Sequence, residues 1–193
     1  MAPTLTSELD AVNTMLSTIG ESPINSLDDI SGVVDAVIAR SVLNEVLVQI
    51  LEESWHFNTD TNYTLSPDND GFIYLAPNVI QVDTVGQDEL FDVAMRGSRL
   101  YDKDNHTYKF TKSIQTNLTY ILPFEELPQA ARHYITIRAA RVFQTRVVGA
   151  VTLHAFTESD EFRARASLRK FEGNTADYNI LTGNYSVMRV LDR

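Results

Sequence analysis

The stretch from Leu127 to Gly149 constrains the fold more than any other, because it carries the markers of one long helix. Pro128 stands where a first-turn proline loses no hydrogen bond, and Gly149 stands where helices end. The roughly 20 residues between them lack glycine and proline and would make about 30 Å of helix. Their apolar side chains cover most of the circumference, whereas a helix on one side of a small core shows a narrower stripe. We therefore predict a helix that is covered on several sides.

Arginines on this helix leave two interpretations open. Arg138 and Arg141 share one strip with Thr145, at i, i+3 and i+7, and Arg132 lies elsewhere on the surface. In a central core helix these side chains would snorkel to water. In a helix at a subunit boundary they would pair with a neighbouring copy. Under the second interpretation the candidate intersubunit residues, on this helix and the next, are Arg132, Arg138, Arg141, Arg163, Arg165 and Arg169.

Apolar periodicity predicts two helices before this one. The first follows Thr6 or Ser7 as its cap, and Asp10, three residues after Ser7, makes a weak capping box. The second opens at Asp28 or Asp29 and runs to about Ser54. Its apolar residues also cover much of the circumference, so we expect it to pack against the long helix.

A fourth helix is predicted from about Thr152 to Glu172. Two ion pairs would support it, Glu161 with Arg165 at i, i+4 and Asp160 with Arg163 at i, i+3. Its acids precede its bases, which is the order that the helix dipole favours.

Residues 58–122 change from helical to alternating periodicity. Short β-rich runs between turns predict strands at 63–65, 72–75, 79–82, 90–95, 99–101, 108–111 and 118–122. The fold class is therefore α+β, a four-helix core with an inserted antiparallel β-sheet or small barrel. The predicted parts are the helical halves 1–57 and 123–175, the β-rich insertion 58–122 and an extended tail, 176–193.

No stretch of the sequence predicts catalytic, cofactor-binding or metal-binding residues. A Gly-rich phosphate loop and a nucleophile elbow are absent, and the four histidines lack the paired spacing of metal ligands. The turns 68–71 and 102–104 do not complete a calcium-loop pattern, and hairpins use the same residues. Adjacent acids at 52–53 and 125–126 are more typical of solvated helix ends than of a carboxylate pair in a cleft. We therefore predict a binding or assembly protein.

The aromatic cluster at 55–57, Trp-His-Phe, has two interpretations. It is either a platform for a sugar or a base, or a plug for the core where a helix leads into a strand. The second is the more usual use of such a cluster.

Charge is distributed unevenly along the chain, whose formal net charge is −10. Residues 1–126 carry 20 acidic and 6 basic side chains, and residues 127–193 carry 6 acidic and 10 basic ones. A protein that grips nucleic acid usually has an elevated pI, and here the pI is about 4.7. We therefore expect DNA at most to pass this surface without specific binding.

Other function classes are excluded by what the sequence lacks. Without cysteine there is no disulfide, thiolate nucleophile or zinc–thiolate site. No apolar run approaches the ~18 residues that span a membrane, and the first residues do not form a secretory signal.

Five segments resemble the tail tubular protein A family of T7-like, short-tailed bacteriophages. They cover about a third of the chain, in family order, and the last is the most specific. They are AVNTMLSTIGESPI at 11–24, DAVIARSVL at 35–43, SWHFNTD at 54–60, RGSRLYD at 96–102 and LPQAARHYITIRAARVFQTRVVGA at 127–150.

The resemblance implies a structural protein of the virion tail, assembled in the cytoplasm of the host bacterium. In that family twelve copies form a ring between the portal protein and the nozzle, which is tail tubular protein B. Tail fibres dock near this junction, and DNA leaves through the ring. No catalytic residue and no cofactor is implied.

Two alternatives remain open at this point. A tail-associated glycan hydrolase acting on host surface polysaccharide is compatible with the carboxylates and the aromatic cluster, although no catalytic constellation is recognisable. An adaptor from another phage lineage with a similar helical core would form a ring of different size.

Overall fold

The computed structural model describes residues 4–28, 30, 32–86, 92–149 and 156–175. Four helices and five strands occur there, which confirms the α+β class. The helices are α1 (Glu8–Ser17), α2 (Val34–Leu51), α3 (Gln129–Val148) and α4 (Glu158–Thr175). The strands are β1 (Thr59–Leu65), β2 (Val79–Thr84), β3 (Val93–Arg96), β4 (Arg99–Asp102) and β5 (Ile114–Tyr120). The predicted tail, 176–193, lies outside the described residues.

Helix α3 is the centre of the helical part, as its apolar circumference predicts. Helices α1, α2 and α4 all pack against it. Tyr134, Ile135 and Phe143 are fully buried there, and each such side chain contributes about 1.5–3 kcal/mol. Gly149 ends the helix in the left-handed conformation, with φ of +66°, which costs glycine no steric strain. The covering elements come from the same chain.

Helix α1 begins with the predicted capping box. Ser7 Oγ accepts a hydrogen bond from the Asp10 backbone N–H at 3.1 Å, and Asp10 Oδ2 accepts one from the Ser7 N–H at 3.0 Å. The Ser7 hydroxyl also donates to Asp10 Oδ2 at 2.7 Å, and this bond, followed by the one from the Ser7 N–H, holds the pKa of Asp10 below its usual value. Two N–H groups that the helix leaves unpaired are thereby satisfied.

The predicted start of α2 at Asp28 or Asp29 is wrong, because the helix begins at Val34. Ser26 Oγ donates to Asp28 Oδ2 at 2.9 Å and accepts from the Asp28 N–H at 3.1 Å. The Asp28 side chain is thus part of a local turn that competes with helix capping. Val33 precedes the helix and offers no side-chain cap.

Helix α4 confirms one of its two predicted ion pairs. Arg163 lies 3.7 Å from Asp160. Glu161 does not pair with Arg165, because it turns toward α3, and Arg165 bonds Glu53 at 2.8 Å instead. The predicted start, Thr152, lies outside the described residues.

The strands form two antiparallel sheets rather than one closed barrel within the described residues. One sheet has the order β1-β5-β2, and β3 and β4 form a hairpin. The runs predicted as strands at 72–75 and 108–111 pair only at isolated bridges, such as Phe72 with Lys109. An apolar cluster under the strands, which includes Leu100 and Ile114, is separate from the cluster inside the helices. The division of the chain into domains stays a prediction.

None of the described helices is long and apolar enough to cross a membrane.

Candidate assembly surfaces

Trp55 and Phe57 of the aromatic cluster pack in the core at the end of α2, and His56 between them is exposed. Trp55 is 7% exposed, and its Nε1 donates to the Ile50 carbonyl oxygen at 2.7 Å. Its ring stacks on Phe57, with 6.4 Å between centroids and 10° between planes. The cluster is therefore a core plug, and its indole is not an open platform for a sugar or a base.

The acidic turns use their carboxylates to fold the backbone. Asp68 Oδ1 accepts from the N–H groups of Asp70 and Phe72, at 2.9 and 2.8 Å. Asp102 is buried and accepts from the Asn105 N–H at 2.8 Å. Among the described residues no group of three or more histidine and acidic side chains could hold a metal ion.

Arg132 is buried and held entirely within the chain. Its Nε donates to the Leu127 carbonyl oxygen at 2.8 Å, and its Nη1 donates to the Thr6 carbonyl oxygen at 2.8 Å. Glu125 supplies both a carboxylate oxygen, at 3.1 Å, and its carbonyl oxygen. The guanidinium thus joins the segment before α1 to the start of α3. The predicted intersubunit role of Arg132 would require a neighbouring copy to contact this hydrogen-bonded network rather than a free guanidinium.

Arg138 and Arg141 converge on one carboxylate of α4. Arg138 Nη1 donates to Glu161 Oε1 at 3.0 Å, and Arg141 Nη1 donates to Glu161 Oε2. The Glu161 side chain is 19% exposed, so the three charges are partly withdrawn from water. Glu158, at 3.5 Å from Arg141, is 91% exposed. The strip predicted from spacing therefore joins α3 to α4 within one chain.

The three predicted interface arginines of α4 differ in their surroundings. Arg165 bonds Glu53, which follows α2. Arg163 is 76% exposed at its loose contact with Asp160. Arg169 is exposed and forms no ion pair with any described residue. Arg163 and Arg169 are thus the predicted residues most available to another molecule, and the intersubunit assignment stays a prediction.

Two exposed apolar patches were not identified from the sequence as sites. The α2 patch lies at the start of α2, where Val34 is 68% exposed and Val37 is 42% exposed. The α4 patch centres on Phe162, which is 74% exposed. Exposed apolar side chains that cluster are typical of interaction surfaces. The apolar residues of α2 extend beyond one face of the helix, and this pattern could have indicated the α2 patch from the sequence.

A shallow groove of about 590 Å³ adjoins the α2 patch. Leu27 and Ile30 form one side, and Val37 of α2 forms the other. Arg40 borders it, held by Glu8 at 2.8 Å. The groove is open enough to receive a protruding side chain but not to enclose a small substrate.

Comparison with known proteins identifies similar sequences. A family model described as "Tail tubular protein" matches residues 9–178. Tail tubular protein A of Klebsiella phage KP34 is 30% identical over 128 residues. That match spans 66% of this chain and 66% of the relative's length, just under two thirds of each.

Proposed function

Because this chain belongs to the tail tubular protein family, we propose that it forms the ring that joins the portal of a phage to the tail nozzle. Membership makes the chain a structural protein of the phage tail. The family match over residues 9–178, almost the whole helical and β-rich part, carries the proposal. Ring formation, DNA passage and fibre docking are the finer roles proposed here.

The arrangement of exposed apolar surface supports ring formation. A closed ring of identical copies needs a heterologous contact, in which two different surfaces of each copy meet. The chain offers such surfaces on two helices, around Val34 in α2 and around Phe162 in α4. Twelve copies are the number expected from the family resemblance.

The charge of the chain supports a conduit that DNA passes without binding. At −10 per chain, a ring would repel the phosphate backbone at long range and release DNA readily. A DNA-gripping ring would instead present a basic bore. The acidic turns around Asp68 and Asp104 are suited to face solvent or the bore.

The proposed partners are those of an adaptor at this junction. The portal protein would contact one end of the ring, tail tubular protein B the other, and tail fibres its side. Assembly would take place in the host bacterial cytoplasm, and the product would remain in the virion tail. No catalytic residue, cofactor or membrane takes part in this proposal.

Co-expression with the portal protein of the same phage tests the proposal. We expect a complex whose mass, measured by analytical ultracentrifugation, corresponds to a ring of about twelve copies, and an annular image by electron microscopy. A chain that stays monomeric at high concentration and does not bind the portal would contradict it. A reducing-sugar assay on host capsular polysaccharide, run on the same sample, would show activity only if the protein were a hydrolase.

A further inference from the structure

We propose that, in this ring, the α4 patch of one copy docks against the α2 patch of the next. Phe162 would enter the groove between Val37 and the loop residues Leu27 and Ile30. The inference rests on the proposed ring and specifies which surfaces close it. The occupant of the groove is thus a second copy of this chain.

Helix α4 presents a face that its own chain leaves uncovered. Ala164 and Leu168 are buried against the helical core. Phe162, Ala166 and Arg169 follow one another at i, i+4 and i+7, so they share one side of the helix, and all three are exposed. An exposed phenylalanine beside a small alanine is a shape that can enter a shallow groove.

The start of α2 offers apolar surface to match it. Val33, Val34, Val37 and Ile38 are between 37% and 68% exposed, although valine and isoleucine are usually buried. A single exposed apolar side chain needs no explanation, but four within six positions beside a groove form a patch. Covering this patch in the ring would remove its apolar surface from water and thereby stabilise the assembly.

Charge identifies a second copy as the occupant. Arg169 and Lys170 are exposed on α4 and form no ion pair with the described residues, and Arg163 is held only at 3.7 Å. The α2 side carries Asp28 and Asp35, which likewise form no ion pair with the described part of the chain. A contact between α4 and α2 therefore brings these bases to acids, and it also brings Glu158, which is 91% exposed one turn before Phe162, to the groove that Arg40 lines.

A twofold contact between two α4 patches is the alternative arrangement. Such a contact pairs each residue with a different residue of the other copy unless the residue lies on the axis, so the charges of α4 do not decide against it. Cross-linking of F162C alone distinguishes the two contacts. The α4-to-α2 contact is heterologous, which is the type that closes into a ring.

Cysteine cross-linking tests the contact directly, because the chain has no cysteine of its own. Full-length F162C and V37C chains would be purified separately, mixed under the conditions in which the wild type assembles, with the portal protein if it is required, and treated with a short bismaleimide. We expect a cross-linked dimer in the mixture and at least tenfold less in either variant alone. Y74C mixed with V37C is the matched control, because Tyr74 is 57% exposed in the β-rich part.

The outcomes separate this inference from the proposed function. A wild-type ring whose F162C and V37C chains do not cross-link overturns the inference and leaves the ring intact. Efficient cross-linking of F162C alone would show a twofold contact and overturn it as well. If the wild type forms no ring, alone or with the portal, both proposals fail together.

A charge-reversal pair gives a second, independent measurement. D35K should reduce the ring fraction at low salt by at least threefold, and so should R169D. Mixing D35K with R169D chains should restore the ring, because alternating copies then face each other with opposite charges at every contact. The double variant D35K/R169D should restore it as well, because it pairs the two charges in reverse. Equal assembly of all three variants and the wild type would exclude this pairing.

Discussion

Arg132 Nη1 lies 2.8 Å from the Thr6 carbonyl oxygen, across 126 positions of sequence. The Arg132 side chain is almost completely buried, with 6% of it exposed to solvent. It satisfies backbone carbonyl oxygens before α1 and before α3 at once. The Arg132 side chain therefore ties together the segments that lead into two helices, beside the bonds from the Thr6 N–H to Gln129 and from the Glu8 N–H to Glu125.

Replacing Arg132 should destabilise the chain more than any other arginine substitution. R132M retains most of the apolar stem but leaves the carbonyl oxygens of Thr6, Leu127 and Glu125 without their donor. We expect a loss of about 3 kcal/mol in the free energy of unfolding, measured with urea. R163M is the matched control, since that side chain is 76% exposed, and it should change stability by less than about 0.5 kcal/mol.

The Glu161 carboxylate should be needed to hold α4 against α3. E161A leaves Arg138 and Arg141, which are 35% and 21% exposed, without their shared partner. We expect a loss of about 1–3 kcal/mol by denaturant unfolding. E158A removes only a 91% exposed acid and should leave stability within about 0.5 kcal/mol of wild type.

A charge swap distinguishes this intrachain role from the predicted intersubunit one. R138E/R141E gathers three carboxylates at one point, so the monomer itself should lose stability. Adding E161R should recover much of that loss, because opposite charges face each other again. If R138E/R141E instead folds like wild type and only ring assembly fails, the two arginines act across a subunit boundary.

Removing the β-rich insertion should leave a folded helical part. Thr59 and Thr119 are register partners on β1 and β5, so the two ends of the insertion lie side by side. A short Gly/Ser linker in place of residues 60–118 can span them while retaining Thr119, whose hydroxyl bonds Ser54 at 3.0 Å. We expect a soluble product with helical circular dichroism and cooperative unfolding. A molten or insoluble product would show that the helices and strands share one core.

Local signals in the sequence were sufficient for some helix ends. Ser7 with Asp10 marks the start of α1, and Gly149 marks the end of α3, because each feature acts within four residues of the end that it fixes. The helix start predicted from Asp28 was wrong because a local signal of this kind is ambiguous. An aspartate caps a helix or builds a turn through the same hydrogen bonds, and only the surrounding backbone decides between them.

Spacing predicted the pair of Asp160 with Arg163 within α4, but it could not predict partners that lie on another helix. Spacing favoured Glu161 with Arg165, since residues four apart lie on one helix face. In the structure Glu161 meets Arg138, which is 23 positions away on another helix. Helix periodicity shows which side chains share a face but not which helix that face meets. The exposed Phe162 could not be recognised for the same reason.

Tyr120 should make stability fall at high pH. Burial raises the pKa of Tyr120 to about 12, and the nearby Asp60 carboxylate adds to the effect. A folded-state pKa above the ordinary value of 10.0 means that folding favours the protonated phenol. This stabilisation is complete below pH 10 and is lost as the pH rises through 12. The stability of Y120F should therefore depend less steeply on pH than that of wild type between pH 10 and 12, measured by urea unfolding at each pH.

The assembled ring should depend on ionic strength and should not bind duplex DNA appreciably. Twelve copies at −10 each would carry about −120, and this like charge must be kept apart for a ring to close. The basic side chains of α4 would meet acidic surface on the neighbouring copy. Salt would screen both this attraction and the repulsion between the negatively charged copies, over a Debye length of about 8 Å. Analytical ultracentrifugation across a salt series should therefore show a change in the ring fraction.

Filter binding with duplex DNA at low salt is the decisive measurement for the conduit, because attraction driven by phosphate groups is strongest there. We expect no retention at micromolar ring concentrations. Submicromolar binding that weakens steeply with added salt would mean that the ring grips DNA instead of letting it pass.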